Sequence, residues 1–340
     1  MDWQEKDILV VDEVSMLGAR TLHAVNEQLC RLRGSQRDFG GIPIVLFCGD
    51  FHQFRPVQER SILLPSTAIS WDVDSSFKAE QRHQHDKAHA LWRRFTTVIM
   101  LDEQMRAAGD AELQRLLTRI RRGEQDHTDL DFLNARCYQE GRRIPWETGI
   151  TVVTPLNRNR WNLNMEASVA FQVQQRSMMR IFISEHKWKD GVPTEEEAIM
   201  ILNQGDDSAI PVPAVFMFVS GMPVVQNDVS RKGLPCTAAF ACTDYKVQGR
   251  SLDRAALELR GTRTTNIDGR VVPAQCDPYS LYVQLSRCCT LDGIMLVSKV
   301  RERDLVGNRV PHEMTAAQSR LEELSERTVR EALSWLADSS

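Results

Sequence analysis

Two short apolar runs, each stopping abruptly at acids, do most to limit how this chain can fold. Ile8-Leu9-Val10-Val11 ends at Asp12-Glu13, and Ile44-Val45-Leu46-Phe47-Cys48 ends at Gly49-Asp50. Runs of this length, rich in branched residues and bounded by charge, read as strands buried on both faces. Leu17 to Leu32, between them, has helical spacing, with Leu22, Val25, Leu29 and Leu32 on one side. Strand, helix, strand with carboxylates at both strand ends predicts a parallel α/β sheet. Ligands of such sheets sit beyond the carboxyl ends of the strands, which is where Asp12, Glu13 and Asp50 fall.

A second parallel-type core is expected from Thr151–Thr154, Val215–Val219, Ala238–Cys242 and Ile294–Val297. Residues 58–95 read as loops and a helix around Ala88 to Phe95. Asp110–Arg122 reads as a helix with Leu113, Leu116, Leu117 and Ile120 inward. Residues 171–213, with Glu195-Glu196-Glu197 and Gly205-Asp206-Asp207, look like an insertion, and residues 261–278 like a polar loop. After Pro311 an amphipathic helix is expected, with Met314, Ala317, Leu321, Leu324, Ala332 and Leu336 along one face. The resulting division is a first lobe over 1–103, a second over 104–312, and a terminal helix over 313–340.

Composition narrows the function classes. A net charge of −4 cannot hold the chain on nucleic acid in bulk, so any grip on phosphate needs a local groove of Arg and Lys. No apolar run approaches the roughly 18 residues of a spanning helix, so no membrane partner is expected. None of the eight cysteines forms a C-x-x-C pair, which excludes a structural zinc and reads as reduced thiols of an intracellular protein. His83, His85 and His89 lack ligand spacing and read as surface residues.

Two segments carry chemistry. Nucleotide hydrolysis needs a carboxylate in the magnesium shell and a second to orient and deprotonate the attacking water. Asp12-Glu13 would supply both, although an apolar run followed by two acids is also a common solvated strand end. Gly49-Asp50-Phe51-His52-Gln53-Phe54-Arg55-Pro56-Val57 is more specific, because a second acid is followed by a Gln whose amide can sense a terminal phosphate or its attacking water.

With these segments in view, the chain resembles the superfamily-one DNA helicases of the PIF type (petite integration frequency). Asp12–Met16 is similar to their Walker B segment and Gly49–Val57 to their third motif. Leu101–Arg106 looks like the fourth, Thr151–Asn164 the opening of the second lobe, and Gly221–Val225 the stretch before a small barrel. Ala241–Asp253 resembles the fifth motif and Tyr282–Arg287 the sixth. The resemblance implies an α/β fold of two RecA-like parallel-sheet lobes, the architecture of P-loop NTPase helicases, with the first lobe incomplete at its N-terminus.

It also implies ATP as substrate with Mg2+, single-stranded or forked DNA as partner, and 5′ to 3′ translocation in DNA repair, recombination and telomere maintenance. The implied catalytic set is Glu13, Gln53, Arg106 and Arg287. Asp12 (through water to the magnesium), Asp50, Gln248 and Gly249 would hold the nucleotide. His52, Thr243 and Lys246 would contact DNA, and His52, Phe54, Trp161 and Tyr245 are candidates for base stacking, with a core role also open for Trp161. Gly249 permits close backbone approach, and Thr243 and Lys246 can donate to a phosphodiester. The compartment implied is the nucleus, with the mitochondrion as the other site where this family works.

Two departures from the pattern stand out. A phosphate loop needs G-x-x-x-x-G-K-[ST], and none of the 18 glycines is followed by Lys. The family carries that loop upstream of the Walker B strand, and the absent strand would pair beside Ile44–Cys48. Only about a dozen residues separate Val225 from the fifth motif, where the family has its small barrel. The expectation is a truncated relative that hydrolyses ATP negligibly on its own. Two other readings stay open: the helicase portion of a rolling-circle transposon protein, and a non-catalytic remnant that binds nucleic acid or a partner.

Overall fold

A computed structural model describes residues 3–68, 79–138, 144–185, 194–202, 213–226, 236–260, 264–267 and 270–338. The chain forms two compact units, Met1–Glu103 with Arg309–Ser340, and Gln104–Asn308.

In the first unit, strand β1 (Ile8–Val11) pairs in parallel with β2 (Ile44–Phe47), Ile8 opposite Ile44 and Val11 opposite Phe47. Helix α1 (Ala19–Arg33) connects them and ends at Gly34, whose φ of 61° gives the left-handed C-cap that favours glycine. Leu22 and Leu29 are buried, but Leu32 is exposed. Phe47 faces an aromatic cluster, meeting Phe39, Trp92 and Phe95 edge-on at 6.1, 5.4 and 4.8 Å between ring centroids. Edge-on packing of this kind adds about 0.5–1.5 kcal/mol per pair beyond burial. Trp92 closes helix α2 (Ala79–Trp92), which begins well before the helix expected around Ala88.

The strands are not buried on both faces. Alternate residues Ile8, Val10, Ile44 and Leu46 remain 46–56% exposed, because the aromatic cluster covers only the other face. The α2 histidines also differ from expectation. His85 is buried and its Nε2 bonds the Leu64 carbonyl at 2.8 Å; half-buried His89 bonds the Ile62 carbonyl through Nδ1 at 2.8 Å. Only His83 is a surface residue. The two rings act as donors to a loop whose own carbonyls lack strand or helix partners, which is why polar side chains are retained inside.

The C-terminal helix (His312–Asp338) belongs to this first unit instead of standing apart. Met314, Leu321 and Leu324 are buried, and its Thr328 and Ser325 hydroxyls accept from the Val98 and Met100 amides at 3.0 and 3.3 Å. Its final turns are exposed at Val329, Leu333 and Leu336, so the inward face ends earlier than the apolar spacing suggests.

The second unit opens with α3 (Ala111–Arg122), capped by Asp110, whose carboxylate accepts from the Leu113 amide at 2.9 Å. Leu113, Leu116, Leu117 and Ile120 point into the core as their spacing demands. Helix α4 (His127–Asn134) carries a reciprocal capping box between Asp126 and Asp129. Then follow β3 (Thr151–Thr154), α5 (Asn157–Gln175), β4 (Met179–Ile183), α6 (Glu195–Leu202), β5 (Val215–Val219), β6 (Val224–Gln226), β7 (Cys236–Ala238) and β8 (Ala241–Thr243). The chain continues with α7 (Asp244–Val247), β9 (Ala255–Leu257), β10 (Thr264–Ile267), β11 (Arg270–Pro273), α8 (Pro278–Leu285), β12 (Ile294–Leu296) and α9 (Glu302–Leu305).

Its main sheet has the order β12-β9-β3-β8, parallel throughout. Every residue of β9 is fully buried, as are Val152 and Val153 of β3. Several expectations change here. Val215–Val219 is not in the parallel sheet; it pairs antiparallel with β4, Met179 opposite Val219. The run Ala238–Cys242 is broken into β7, antiparallel to β6, and β8. The expected polar loop contains the antiparallel pair β10–β11, and Gly205-Asp206-Asp207 lies outside the described residues. All eight cysteines are free thiols, with Cys242, Cys276 and Cys288 buried.

Candidate functional site

The first unit places its acids through the β1–β2 register. The ladder runs past the strands, because the Cys48 amide donates to the Val11 carbonyl at 2.8 Å and the Val14 amide to the Cys48 carbonyl at 2.9 Å. Glycine is required at 49: φ is 146°, and a Cβ there would stand 2.8 Å from the Val14 nitrogen. This close approach sets Asp12-Glu13 and Asp50 on adjoining strand ends, at the carboxyl edge of a parallel pair.

Glu13 adopts a left-handed conformation, φ 50° and ψ 46°. For a residue with a Cβ this costs about 1–2 kcal/mol, a strain of the sort retained where a side chain must be aimed. Asp12 is exposed, and one of its oxygens accepts from the Glu13 amide at 2.8 Å. Asp50 closes a turn: its carboxylate accepts from the His52 amide at 3.0 Å and its carbonyl from the Gln53 amide at 2.9 Å. The His52 ring lies 3.5 Å from the Asp50 carboxylate and is largely buried. Gln53 Oε1 and Ser15 Oγ are buried with no hydrogen-bond partner. Buried acceptors in that state are uncommon in folded proteins and fit a site completed by a polar ligand or water.

Among the described residues no three His, Cys, Asp or Glu side chains converge to hold a metal by themselves. Two carboxylates on adjoining strand ends instead fit a magnesium ion that brings water and phosphate oxygens as its other ligands. Phe54 is only 2% exposed and belongs to the core, so it cannot stack on a base.

The second unit gathers the remaining candidates. Thr243 ends β8 and is buried, and α7 follows without a loop, leaving Tyr245 and Lys246 exposed. Trp161 on α5 is half-buried. Gly249 has φ 76° and begins the turn after α7, beside Gln248. Arg287 follows α8 and is 1% exposed. Its Nε donates to the Val283 carbonyl at 2.8 Å, and its terminal nitrogens donate to Ser286 Oγ at 2.7 Å and to the carbonyls of Arg250 and Val247 at 3.4 and 3.5 Å. Arg106 reaches the same loop, donating to Ser251 Oγ at 2.7 Å and the Ser286 carbonyl at 2.9 Å. The Leu252 amide donates back to the Arg287 carbonyl at 2.9 Å. Both arginines therefore clasp residues 247–252, a role that sequence spacing gave no sign of. Ser251 and Ser286 were not foreseen either, since a serine carries no positional signal until its partner is known.

Residues 1–129 match the family model described as PIF1-like helicase. The ATP-dependent DNA helicase PIF1 of Candida albicans is 33% identical over 132 residues, which cover 38% of this chain and 13% of the relative. The chain thus spans a minor part of the length of the curated relative it matches. In fold, it resembles the crystal structure of Pif1 helicase from Candida albicans at a TM-score of 0.62 and 16% identity, over 94% of this chain and 77% of that one. It also resembles a Pif1 helicase from Bacteroides in complex with ADP-AlF3 and ssDNA, at a TM-score of 0.56, 16% identity, and 94% and 76% coverage. The fold is α/β on parallel sheets, of the RecA-like kind, and the similarity to the PIF1-like family model lies in residues 1–129.

Proposed function

We propose that this PIF1-like chain forms part of an ATP-dependent DNA helicase that couples nucleotide hydrolysis to movement on single-stranded or forked DNA. The observation that carries the reading is the pair of parallel strand ends that bring Asp12-Glu13 beside Asp50, locked by the Gly49 approach to Val14. Glu13 orients and deprotonates the attacking water, and Gln53 Oε1 accepts a hydrogen bond from that water. Asp12 and Asp50 would hold the water shell of a magnesium ion. When bound, that ion neutralises charge on the phosphates. Within the second unit, Gln248 and Gly249 are the proposed nucleotide contacts and Thr243 and Lys246 the proposed contacts to the DNA backbone, with Tyr245 as an exposed stacking surface. Within the first unit, His52 is the proposed contact to DNA. The role proposed for Arg106 and Arg287 is to supply positive charge to the hydrolysis step. Translocation runs 5′ to 3′, and the work is done inside the cell on genomic DNA, in repair, recombination and telomere maintenance.

The sequence contains no Gly-Lys step and hence no phosphate loop, whose backbone amides and Lys give most of the ground-state grip on a triphosphate. The chain alone therefore hydrolyses ATP very slowly. The test joins it to the phosphate-loop segment of a family member and follows strand separation of a forked duplex bearing a 5′ tail. Unwinding that needs hydrolysable ATP supports the reading. A joined protein that binds nucleotide and DNA but neither hydrolyses nor unwinds would favour a binding remnant.

A further inference from the structure

The second unit buries a chain of polar side chains outside the residues assigned above. Asp244 at the start of α7 is 2% exposed, Ser280 in α8 is 2% exposed, and Gln284 one turn later is fully buried. Asp244 accepts from the Tyr245 amide at 2.9 Å through one oxygen and from the Ser280 hydroxyl at 2.5 Å through the other. Ser280 Oγ in turn accepts from Gln284 Nε2 at 3.0 Å, and the same amide donates to the Glu258 carbonyl at 3.2 Å. The Glu258 carboxylate takes the Ser298 hydroxyl at 2.9 Å, which ties the line to the residues following β9 and β12.

A buried carboxylate is costly unless it is hydrogen-bonded, and an apolar contact between α7 and α8 would hold them without that penalty. Burial, with Asp277 nearby, pushes the Asp244 carboxyl above its usual value, while its hydrogen bonds draw it back. What the polar line adds over an apolar contact is direction. It fixes the rotation of α7, a single turn with little stability of its own, against α8. The outer side of α7 displays Tyr245 and Lys246, and α8 leads directly into Ser286 and then Arg287, whose guanidinium donates to the Val247 and Arg250 carbonyls.

We infer that Asp244, Ser280 and Gln284 are positioning residues that hold the DNA-facing turn in register with the helix that leads into Arg287. The inference rests on the reading that α7 faces single-stranded DNA. None of the three side chains touches DNA or nucleotide; they act through Lys246, Tyr245 and the 247–252 loop. The hydroxyl of Ser280 is the central link, because it alone joins the acid to the amide.

The test uses the full chain with three readouts: amide exchange over residues 244–252, affinity for a fluorescent oligothymidylate, and thermal midpoint. Ser280→Ala is expected to speed exchange over 245–252 by about tenfold and weaken DNA binding by about fivefold to tenfold, the scale of one lost buried hydrogen bond. Ser280→Thr keeps the hydroxyl and should restore both to within about twofold. Asp244→Asn, of unchanged shape, should loosen the same amides, and the Asp244→Asn/Ser280→Ala pair should be no worse than either alone. Lys246→Ala should weaken DNA binding with exchange unchanged, so a wild-type chain that fails to bind oligothymidylate indicts the DNA reading and leaves exchange to decide the positioning role. Folded Ser280→Ala and Asp244→Asn proteins with wild-type exchange over 245–252 would overturn the inference, even if their thermal midpoints fall.

Discussion

The two parallel sheets of this protein are built to different degrees of closure. In β3, β9 and β12 almost every side chain is sealed, with Val152, Val153, Ala255, Ala256, Leu257 and Leu296 all at zero exposure. In β1 and β2 burial alternates, and Ile8, Val10, Ile44 and Leu46 stand about half exposed. Both sheets end on residues proposed for chemistry. What they share is a parallel edge and a glycine with positive φ, Gly49 just after β2 and Gly249 in the turn after α7. The second sheet derives its stability from burial; the first depends on one aromatic cluster and on the register set by backbone hydrogen bonds.

The comparison is best broken at the core of the second sheet. Leu257→Ala should cost about 2–5 kcal/mol in chemical denaturation, since a sealed strand cannot collapse around the cavity. Next in size is Asp110→Ala, which removes the α3 cap and the acceptor for the Leu291 amide at 2.8 Å; a loss of about 1–2 kcal/mol is expected. Its signature is confined to the second unit, so amide exchange should rise around Leu113 and Leu291 and stay unchanged over α1.

Acid separates the two units further. Burial holds the His89 imidazole below its ordinary value of 6.5, so the unfolded chain binds a proton more readily than the folded one. The stability it contributes is present above about 6.5 and is lost as pH falls through the lower folded value. The second unit behaves differently. Hydrogen bonds from the Leu291 and Leu113 amides lower Asp110, and bonds from the Thr128 hydroxyl and amide and from Arg119 bring Asp126 to about 2. Their contribution is present above the ordinary carboxylate value of 3.8 and is lost only as pH falls through those lower folded values. Exchange measured from pH 7 downward should therefore loosen residues 61–66 and α2 before α3 and α4, and His89→Gln should flatten the early step. The smallest effect is expected at Val10→Ser, within about 0.5 kcal/mol of the parent because the side chain is half solvated. A Val10→Ser loss as large as that of Leu257→Ala would end the contrast between the sheets.

Long, periodic or strongly bounded segments were legible in the sequence. β1, β2, α3 and β3 lie where apolar runs and spacing put them, and Asp12, Glu13, Asp50 and Gln53 fall at strand ends as a parallel sheet requires. The exposed face of β1 and β2 was not legible, because an apolar run states what a strand can bury and not what lies against it. Strand β9 was missed since Ala255-Ala256-Leu257 is short and built of small side chains, with its strand character imposed by neighbours on both sides. Val215–Val219 was assigned to the wrong sheet because its apolar run suits either kind of pairing. The clasp made by Arg106 and Arg287 depends on carbonyls of residues 247–252, and backbone acceptors leave no mark in a sequence.

Glu13, the acid at the end of β1, is proposed to carry the hydrolysis step. In the chain joined to a phosphate-loop segment, ATP binding and single-turnover hydrolysis with single-stranded DNA should be measured for the parent and for Glu13→Gln. The account predicts nucleotide affinity within about twofold and a hydrolysis rate lowered by about 10²–10⁴, the usual contribution of a general base. Hydrolysis by Glu13→Gln at the parent rate would contradict it.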